Sequence, residues 1–143
     1  MNQQKVVYVS GNDWETLPIQ GYYLMDMDVD LNGNVYVVDD TGLSSTIMPN
    51  RIYRYSDGTC TYIIPEESCP DIYPHRLKSD LRNYLWLAKF SFGNEKNLMV
   101  YDGKTWHKAP GDFLDLQINC ISVDKNNNIW LGTSEIILPG GTA

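Results

Sequence analysis

The sequence predicts an all-β fold, a β-propeller built from four-stranded antiparallel blades, with about three blades' worth of strands in the chain. The first observation behind this prediction is a motif in which an aspartate precedes an aromatic residue by six positions. It occurs three times, at Asp30 and Tyr36, at Asp80 and Trp86, and at Asp124 and Trp130. The second is a segment at 98–110 that aligns without a gap on 6–18 and less well on 52–62. A repeat of four short strands over some 46 residues is typical of a propeller blade.

The two motifs divide the chain, 1–143, into the repeats of one domain. We expect a half blade at about 1–18, whole blades at 19–64 and 65–110, and a second half blade at 111–143. The anchor residues Trp14, Cys60 and Trp106 are evenly spaced, 46 residues apart. The four repeats are therefore expected to contain two, four, four and two strands.

Each strand follows from local patterning. Residues 5–9 and 13–17 form a hairpin, because Gly11 between them can adopt the positive φ of a tight turn. At 22–29, Met25, Met27 and Val29 alternate with aspartates, which is the period of a strand with one apolar face. Asparagine, aspartate and glycine at 30–34 favour a turn, and the apolar run at 35–38 favours a strand covered on both faces.

The later strands repeat this order. They are predicted at 51–55, 59–64, 75–78, 84–90, 97–101, 105–108, 117–123 and 129–132. No helix is expected, because no window keeps an apolar residue at every third and fourth position behind a capping signal.

Composition excludes some function classes. The 143 residues include 18 acidic and 11 basic side chains, a formal net charge of −7 that disfavours nucleic acid and anionic membranes as partners. No apolar run approaches the roughly 20 residues of a membrane span, so direct membrane insertion is not expected. The first residues lack the apolar core of a secretory signal. The chain is therefore expected either to be cytoplasmic or to be a piece of a larger exported protein.

The sequence predicts no metal site and no cofactor. Cys60, Cys69 and Cys120 lack the paired spacing of a zinc site, and Cys60 and Cys120 are expected to act as small buried apolar residues within strands. The segments that begin at Asp30 and Asp124 are similar to the opening of a calcium loop, but the downstream bidentate glutamate is missing. A turn-forming role is the better explanation of both aspartates.

The sequence also predicts no catalytic residue, and the protein is not expected to be an enzyme. His75 and His107 are the two histidines of the chain, and neither has a partner in a recognisable motif. His107 follows an anchor residue on an outer strand, where exposure to solvent is expected. No nucleophile motif of the Gly-x-Ser-x-Gly kind is present.

The run from Asp124 through Asn-Asn-Asn-Ile-Trp-Leu-Gly to Thr133, with its weaker copies upstream, resembles the repeat of the two-component-regulator propellers. The first two repeats depart from this pattern, with Asp39 and Lys89 near the place where the family has Gly-Thr. The resemblance implies a ligand-sensing propeller of periplasmic or extracellular location. Such a domain would bind a small carbohydrate derived from a glycan and pass the signal on through contacts with other domains. Similar blades occur in streptogramin-lyase-like propellers, whose metal-binding histidine set is not matched here.

Three blades are fewer than the usual four to eight. Two arrangements would resolve the shortfall. Two copies could form a homodimer that closes a six-bladed ring, each completing the other's half blades. Alternatively, the chain is part of a longer propeller. The two candidate functions are accordingly a ligand-sensing propeller and a self-assembling or protein-interaction scaffold.

The rim formed by the long connections is the predicted binding surface, since the short turns between paired strands all lie at the opposite rim. The long connections fall at 19–23, 39–51, 65–76, 89–96 and 109–116. Aromatic side chains there can stack on sugar rings, and arginine or histidine can form hydrogen bonds. The candidate ligand contacts are Tyr22, Tyr23, Arg51, Tyr73, His75, Arg76 and Phe92.

Tryptophans provide a prediction about packing. Trp14, Trp86, Trp106 and Trp130 each accompany a strand pattern and are expected to fill the space between blades, because large aromatic side chains bury the most area.

Overall fold

The computed structural model describes residues 3–21, 23–39, 51–63, 73–90, 98–109 and 116–135. Within these ranges the regular structure consists of β-strands, and no helix occurs among them. In chain order the strands are β1 (Gln4–Ser10), β2 (Asp13–Gly21), β3 (Leu24–Val29), β4 (Val35–Asp39), β5 (Arg51–Ser56), β6 (Thr59–Ile63), β7 (Tyr73–Ser79), β8 (Leu85–Phe90), β9 (Leu98–Tyr101), β10 (Trp106–Lys108), β11 (Leu116–Val123) and β12 (Ile129–Glu135). Each strand expected from the sequence is present, with its ends shifted by a few residues.

The strands form four antiparallel sheets, each made of strands that follow one another in the chain. β1 and β2 make a leading pair, β3–β6 a first sheet, β7–β10 a second sheet, and β11 and β12 a trailing pair. In the two four-stranded sheets, each strand is hydrogen-bonded to its neighbour in sequence. The prediction of an all-β fold with four-stranded antiparallel sheets is confirmed for the described residues.

Strand β2 is longer than the sequence indicated, because it continues past Pro18 to Gly21. Leu17 and Ile19 on either side of the proline are buried. The β1–β2 register is interrupted between Lys5 and Val7, opposite the stretch that contains Pro18. A proline, which has no N–H to donate, is tolerated at such an irregularity of an edge strand.

An irregularity of register recurs at equivalent positions in the other three sheets. It falls at Met25 between β3 and β4, at His75 between β7 and β8, and at Asn119 between β11 and β12. Each of these residues lies five positions before a motif aspartate. A bulge bends its strand and redirects the neighbouring side chains, so the three sheets begin with the same local geometry.

The turn after each of these strands also repeats. Gly33, Asn83 and Asn127 occupy the same turn position with φ of 82°, 61° and 62°. Glycine and asparagine are the residues that adopt this left-handed conformation most readily, which explains the composition of the three turns.

Apolar clusters join successive sheets. Val6, Leu17, Ile19, Val37 and Tyr53 join the leading pair to the first sheet. The two four-stranded sheets share Tyr36, Val38, Ile52, Ile63, Leu77, Leu85, Leu87, Met99 and Trp106. Ala88, Leu98, Val100, Ala109 and Ile118 join the second sheet to the trailing pair. Neighbouring residues of a strand thus belong to different clusters, as the period of two requires, and the sheets are stacked in chain order.

The tryptophans meet the packing prediction only in the four-stranded sheets. Trp106 is buried against Tyr101, with ring centroids 5.0 Å apart, and Trp86 is partly buried. Trp14 of the leading pair and Trp130 of the trailing pair are exposed, so the prediction was wrong for these two. The physical reason is that the two pairs are the first and last of the described sheets, and among the described residues no further sheet covers the outer face on which each tryptophan lies.

The cysteine prediction fails in part for the same reason. Cys60, in the first sheet, is half-buried, and burial raises the pKa of its thiol. Cys120, in the trailing pair, is exposed and is therefore not the small buried residue that its strand pattern indicated.

Candidate functional site

The motif aspartates shape the rim of short turns. One carboxylate oxygen of Asp80 accepts hydrogen bonds from the backbone N–H groups of Arg82 and Tyr84, at 2.8 and 3.0 Å. The other oxygen accepts a bond from the indole nitrogen of Trp86 at 3.1 Å. An aspartate therefore closes the turn with one oxygen and fixes the aromatic ring with the other, which explains why the interval of six residues is constant.

The other two repeats have the same arrangement. Asp124 caps the N–H groups of Asn126 and Asn128 and accepts a 3.0 Å bond from the indole of Trp130. In the first repeat, the hydroxyl of Tyr36 donates to Asp30 at 3.2 Å. These carboxylates are engaged by N–H and O–H donors, in agreement with the turn-forming role predicted for Asp30 and Asp124. In the part of the chain that the structure describes, no group of three His, Cys, Asp or Glu side chains could hold a metal ion.

These contacts shift the pKa values of the groups involved. Hydrogen bonds from the side chains of Asn128 and Trp130 lower the pKa of Asp124 to about 2. Burial acts to raise the pKa of Asp80, but the bonds from Trp86 and Arg82 and from the backbone together outweigh it and hold the pKa below the usual range. Burial, with the nearby Asp30, raises the pKa of Tyr36 to about 12.

The lowered pKa values predict a loss of stability in acid. A carboxylate whose pKa is lower in the folded state stabilises the fold above its unfolded value, 3.8, and this contribution disappears as the pH falls toward the folded value. The free energy of unfolding is thus expected to decrease between pH 3.8 and about 2. Urea denaturation across this range should show a smaller decrease for Asp124→Asn than for the wild type. Identical pH profiles would contradict the assignment.

Side chains also bind across the seam between the first and second sheets. Asp26 of β3 accepts the N–H of Leu77 at 3.0 Å, and Asp28 accepts the N–H of Ser79 at 2.7 Å. Lys78 adds an ion pair to Asp28 at 3.2 Å. The alternating aspartates of β3 therefore connect it to β7, the first strand of the next sheet.

The seam between the second sheet and the trailing pair involves two predicted ligand contacts. Nε2 of His75 lies 2.6 Å from the carbonyl oxygen of Ile118, and Nε of Arg76 donates to the carbonyl of Asn119 at 3.0 Å. Arg76 also donates from Nη1 to the carbonyl of His75 at 2.7 Å. His75 is buried, whereas Arg76 is half-buried. Both residues thus help to position β11 beside β7.

Two further candidates, Tyr23 and Arg51, come together at the end of β4. The backbone N–H of Tyr23 donates to Asp39 at 2.9 Å, and Arg51 lies opposite Asp39 in the β4–β5 ladder. The side chain of Tyr23 is exposed, and the guanidinium of Arg51 lies over the ring of Tyr62 at 5.2 Å. Arg51 begins β5, at the end of the connection predicted at 39–51. The connection predicted at 19–23 is shorter than expected, because β2 continues to Gly21 and β3 begins at Leu24, so Tyr23 lies in a two-residue link.

The side chains of the three remaining candidates lie outside the part of the chain that the structure describes. Tyr22 and Phe92 lie outside the described residues. Tyr73 begins β7 with its backbone opposite Phe90, and the position of its side chain is likewise outside the description. Their predicted role as ligand contacts stays a prediction.

Sequence reasoning did not select Asp39 and Lys89 as site residues. They end β4 and lie near the end of β8 at equivalent positions, nine residues after the motif aspartates, and both are buried. The hydroxyl of Tyr53 lies 3.4 Å from the Asp39 carboxylate, and a Cβ at Gly21 would meet it, so the chain approaches this carboxylate closely. Thr133 stands at the equivalent position in the trailing pair. This departure from threonine in the first two repeats was the available signal.

At the opposite rim, His107 is exposed as expected, but it has a partner. Its Nε2 lies 2.8 Å from the carboxylate of Asp102 and 3.0 Å from the hydroxyl of Thr105, all within one hairpin turn. Hydrogen bonds from the Thr105 backbone and from His107 hold the pKa of Asp102 well below its usual range. The contacts brace the turn between β9 and β10.

Comparisons with protein-family models, curated proteins and solved structures find no match to this chain. The described residues also contain no helix that is long and apolar enough to cross a membrane. The described strands place the protein in the all-β class, with antiparallel sheets that apolar clusters join in chain order.

Proposed function

We propose that the sheets of this chain are blades of a non-catalytic β-propeller, with β3, β7 and β11 as the strands nearest the central axis. This arrangement is supported by the contacts of β7 with β3 on one side and with β11 on the other. The hydrogen bonds of Asp26 to β7 and of Arg76 to β11 join the same three strands. Stacking of sheets through their first strands is the geometry that a propeller requires.

The proposed function is binding at the rim of long connections. The observation that carries it is the pair of buried charges, Asp39 and Lys89, at equivalent positions where two neighbouring blades reach this rim. Charged side chains are rarely buried unless they are paired. Here they stand where the third repeat has Thr133, so the first two repeats differ from it at this rim. Tyr23 directly precedes β3, and Arg76 lies within β7, three residues from the end of the strand on the same side. The ligand class is a small molecule derived from a glycan, or a protein partner, as the resemblance to periplasmic sensor propellers implies.

The test is calorimetric titration of the protein with defined oligosaccharides, both neutral (maltohexaose, xylohexaose) and acidic (trigalacturonate). Arg76→Ala is expected to weaken binding at least about tenfold, because a hydrogen bond to a charged group is worth roughly 1.5–3 kcal/mol. Its Nη2 group can donate to a ligand while Nε and Nη1 are held by main-chain carbonyls. Arg82→Ala is the matched control, since Arg82 lies on the rim of short turns and should leave binding unchanged.

Two results would count against rim binding. One is an absence of measurable heat with all of these probes at millimolar concentration. The other is an equal loss of affinity in the Arg76→Ala and Arg82→Ala variants.

A second function, a self-assembling scaffold, is favoured by a separate observation. The leading and trailing pairs each have two strands where a blade has four, and both expose a tryptophan. A scaffold role would place the functional surface at these half blades.

A further inference from the structure

The two half blades have complementary unpaired edges. Among the described strands, β1 is hydrogen-bonded to β2 alone and β12 to β11 alone. The edge strand β1 exposes Val7, Tyr8 and Val9, and β12 exposes Trp130. The unpaired backbone N–H and C=O groups of such an edge strand, flanked by exposed apolar side chains, are a template for pairing with another strand.

The two complete blades show how such edges pair. In the first sheet Val35 of β4 lies opposite Tyr55 of β5, and in the second Leu85 of β8 lies opposite Tyr101 of β9. Val35 and Leu85 each follow their motif aspartate by five residues. Tyr55 and Tyr101 each precede the anchor position, Cys60 or Trp106, by five residues. The second and third strands of both blades therefore pair in one register.

The corresponding residues of the half blades are Ile129, five residues after Asp124, and Val9, five residues before the anchor Trp14. We infer that two copies of this chain complete each other's half blades, with β12 of one copy antiparallel to β1 of the second and Ile129 opposite Val9. Each completed blade has the strand order β11, β12, β1, β2, and two copies together make six blades. The inference rests on the proposed propeller and adds to it the partner and the register.

A groove beside β1 is suited to receive β12 of the second copy. It has a volume of about 290 Å³ and is lined mainly by apolar side chains of β1, β3 and β4, including Met25 and Met27. Met27 is 45% exposed, whereas the equivalent Leu77 in the second sheet is 3% exposed and shares a cluster with Tyr36 of the preceding sheet. Trp130 is the equivalent of Tyr36 and is 63% exposed. The indole of the second copy would cover Met27 as Tyr36 covers Leu77.

A second copy is the better occupant than the chain's own trailing pair. In this structure β1 and β12 belong to separate sheets, and closure of the twelve described strands on themselves would make a ring of three blades, fewer than the usual four to eight. Pairing between two copies gives six blades and leaves neither edge open.

Gly33 marks a difference between the new seam and the two existing ones. The N–H of Leu31 donates to the side chain of Asn83 at 2.9 Å, and the N–H of Leu81 donates to Asn127 at 2.7 Å. In the seam between the two copies, the equivalent donor is the backbone N–H of Lys125 in one copy. The equivalent acceptor position in the other copy is Gly33, which has no side chain. The seam between copies therefore has one hydrogen bond fewer than the seams within the chain.

The register is tested by disulfide formation. Cysteines are introduced at Ile129 and Val9, with Cys60, Cys69 and Cys120 replaced by serine. Mild oxidation should give a covalent dimer on a non-reducing gel. The combination of Ile129→Cys with Tyr8→Cys should give little or no covalent dimer, because in the proposed register these two side chains point to opposite faces of the blade. Val35→Cys with Tyr55→Cys is the control within one blade and should form an intramolecular disulfide, because these residues lie opposite each other in the first sheet.

Each other outcome overturns part of the account. If the control disulfide forms and the Ile129–Val9 dimer does not, the pairing between copies is wrong and the propeller stands. An intramolecular bond between positions 9 and 129 would mean that the chain closes on itself. Failure of the control disulfide would overturn both the blade register and the proposed propeller.

A second variant, Gly33→Asn, should strengthen the assembly. A Cβ at Gly33 meets no atom within 4 Å, and asparagine already occupies this conformation at positions 83 and 127. The two-fold dimer contains this seam twice, so two hydrogen bonds are added and the dimer dissociation constant should fall about 25-fold. An unchanged or higher dissociation constant in a folded Gly33→Asn protein would contradict the predicted seam.

Discussion

Replacement of Asp80 by alanine is expected to cost roughly 3–5 kcal/mol of folding free energy, because a fully buried acceptor is removed and several partly buried donors lose it together. The side chain is fully buried and accepts bonds from two backbone N–H groups and from the indole of Trp86. The ion pair to Arg82 adds less, since that guanidinium is largely exposed. Urea denaturation at neutral pH measures the loss.

Asp124→Ala is the matched control for this prediction. Asp124 makes the same set of bonds at the equivalent turn, but there the turn is exposed, and water can satisfy the donors that the substitution frees. The loss should therefore be clearly smaller than for Asp80→Ala. Asp80→Asn should fall between Asp80→Ala and the wild type, because it keeps one acceptor oxygen for the turn. Equal losses at the two aspartates would show that burial does not decide the effect.

Replacement of Leu87 by alanine is expected to cost about 2–5 kcal/mol, the usual range for a large-to-small change in a packed core. Leu87 is completely buried in the cluster that joins the two four-stranded sheets. Its equivalent in the trailing pair is Leu131, which is only partly buried. Leu131→Ala should cost about 1–2 kcal/mol, because less apolar surface is removed from the interior.

Thermal and urea unfolding of both leucine variants tests this difference. A larger loss for Leu131→Ala than for Leu87→Ala would contradict the assignment of the main core to the seam between the two four-stranded sheets.

The repeat made much of the fold predictable. The constant interval between Asp80 and Trp86 and its two copies located the strands, because one carboxylate both closes the turn and binds the aromatic side chain. The alternation along β3 likewise predicted one apolar face. The sequence did not reveal that Asp26 and Asp28 on the other face bind the backbone of β7, because such a bond depends on how neighbouring sheets are offset.

The site was less predictable than the fold. Arg76 and His75 were selected for their chemistry, and both contact β11 main-chain carbonyls, which no local pattern indicates. Asp39 and Lys89 were not predicted as site residues, because a charged residue at the end of an apolar strand usually indicates the start of an exposed loop. Their burial depends on the packing of sheets around them and not on their own strands.

The exposure of Trp14 and Trp130 likewise depends on packing between sheets, which a local pattern does not show. Pattern alone assigned Trp14 and Trp130 to the interior, as it did Trp106, because the three lie in similar strands. What differs is the covering sheet, since no sheet in the described part of the chain covers the outer face of the leading or the trailing pair. Their exposure in the single chain is what the pairing of two copies would remove.

The solution mass of the protein tests this pairing most directly. Light scattering on a sizing column, at several concentrations, should give twice the chain mass of 16.3 kDa, or 32.6 kDa, with a monomer fraction that grows on dilution. A folded, monodisperse species of 16.3 kDa at all concentrations would contradict the completion of the half blades by a second copy.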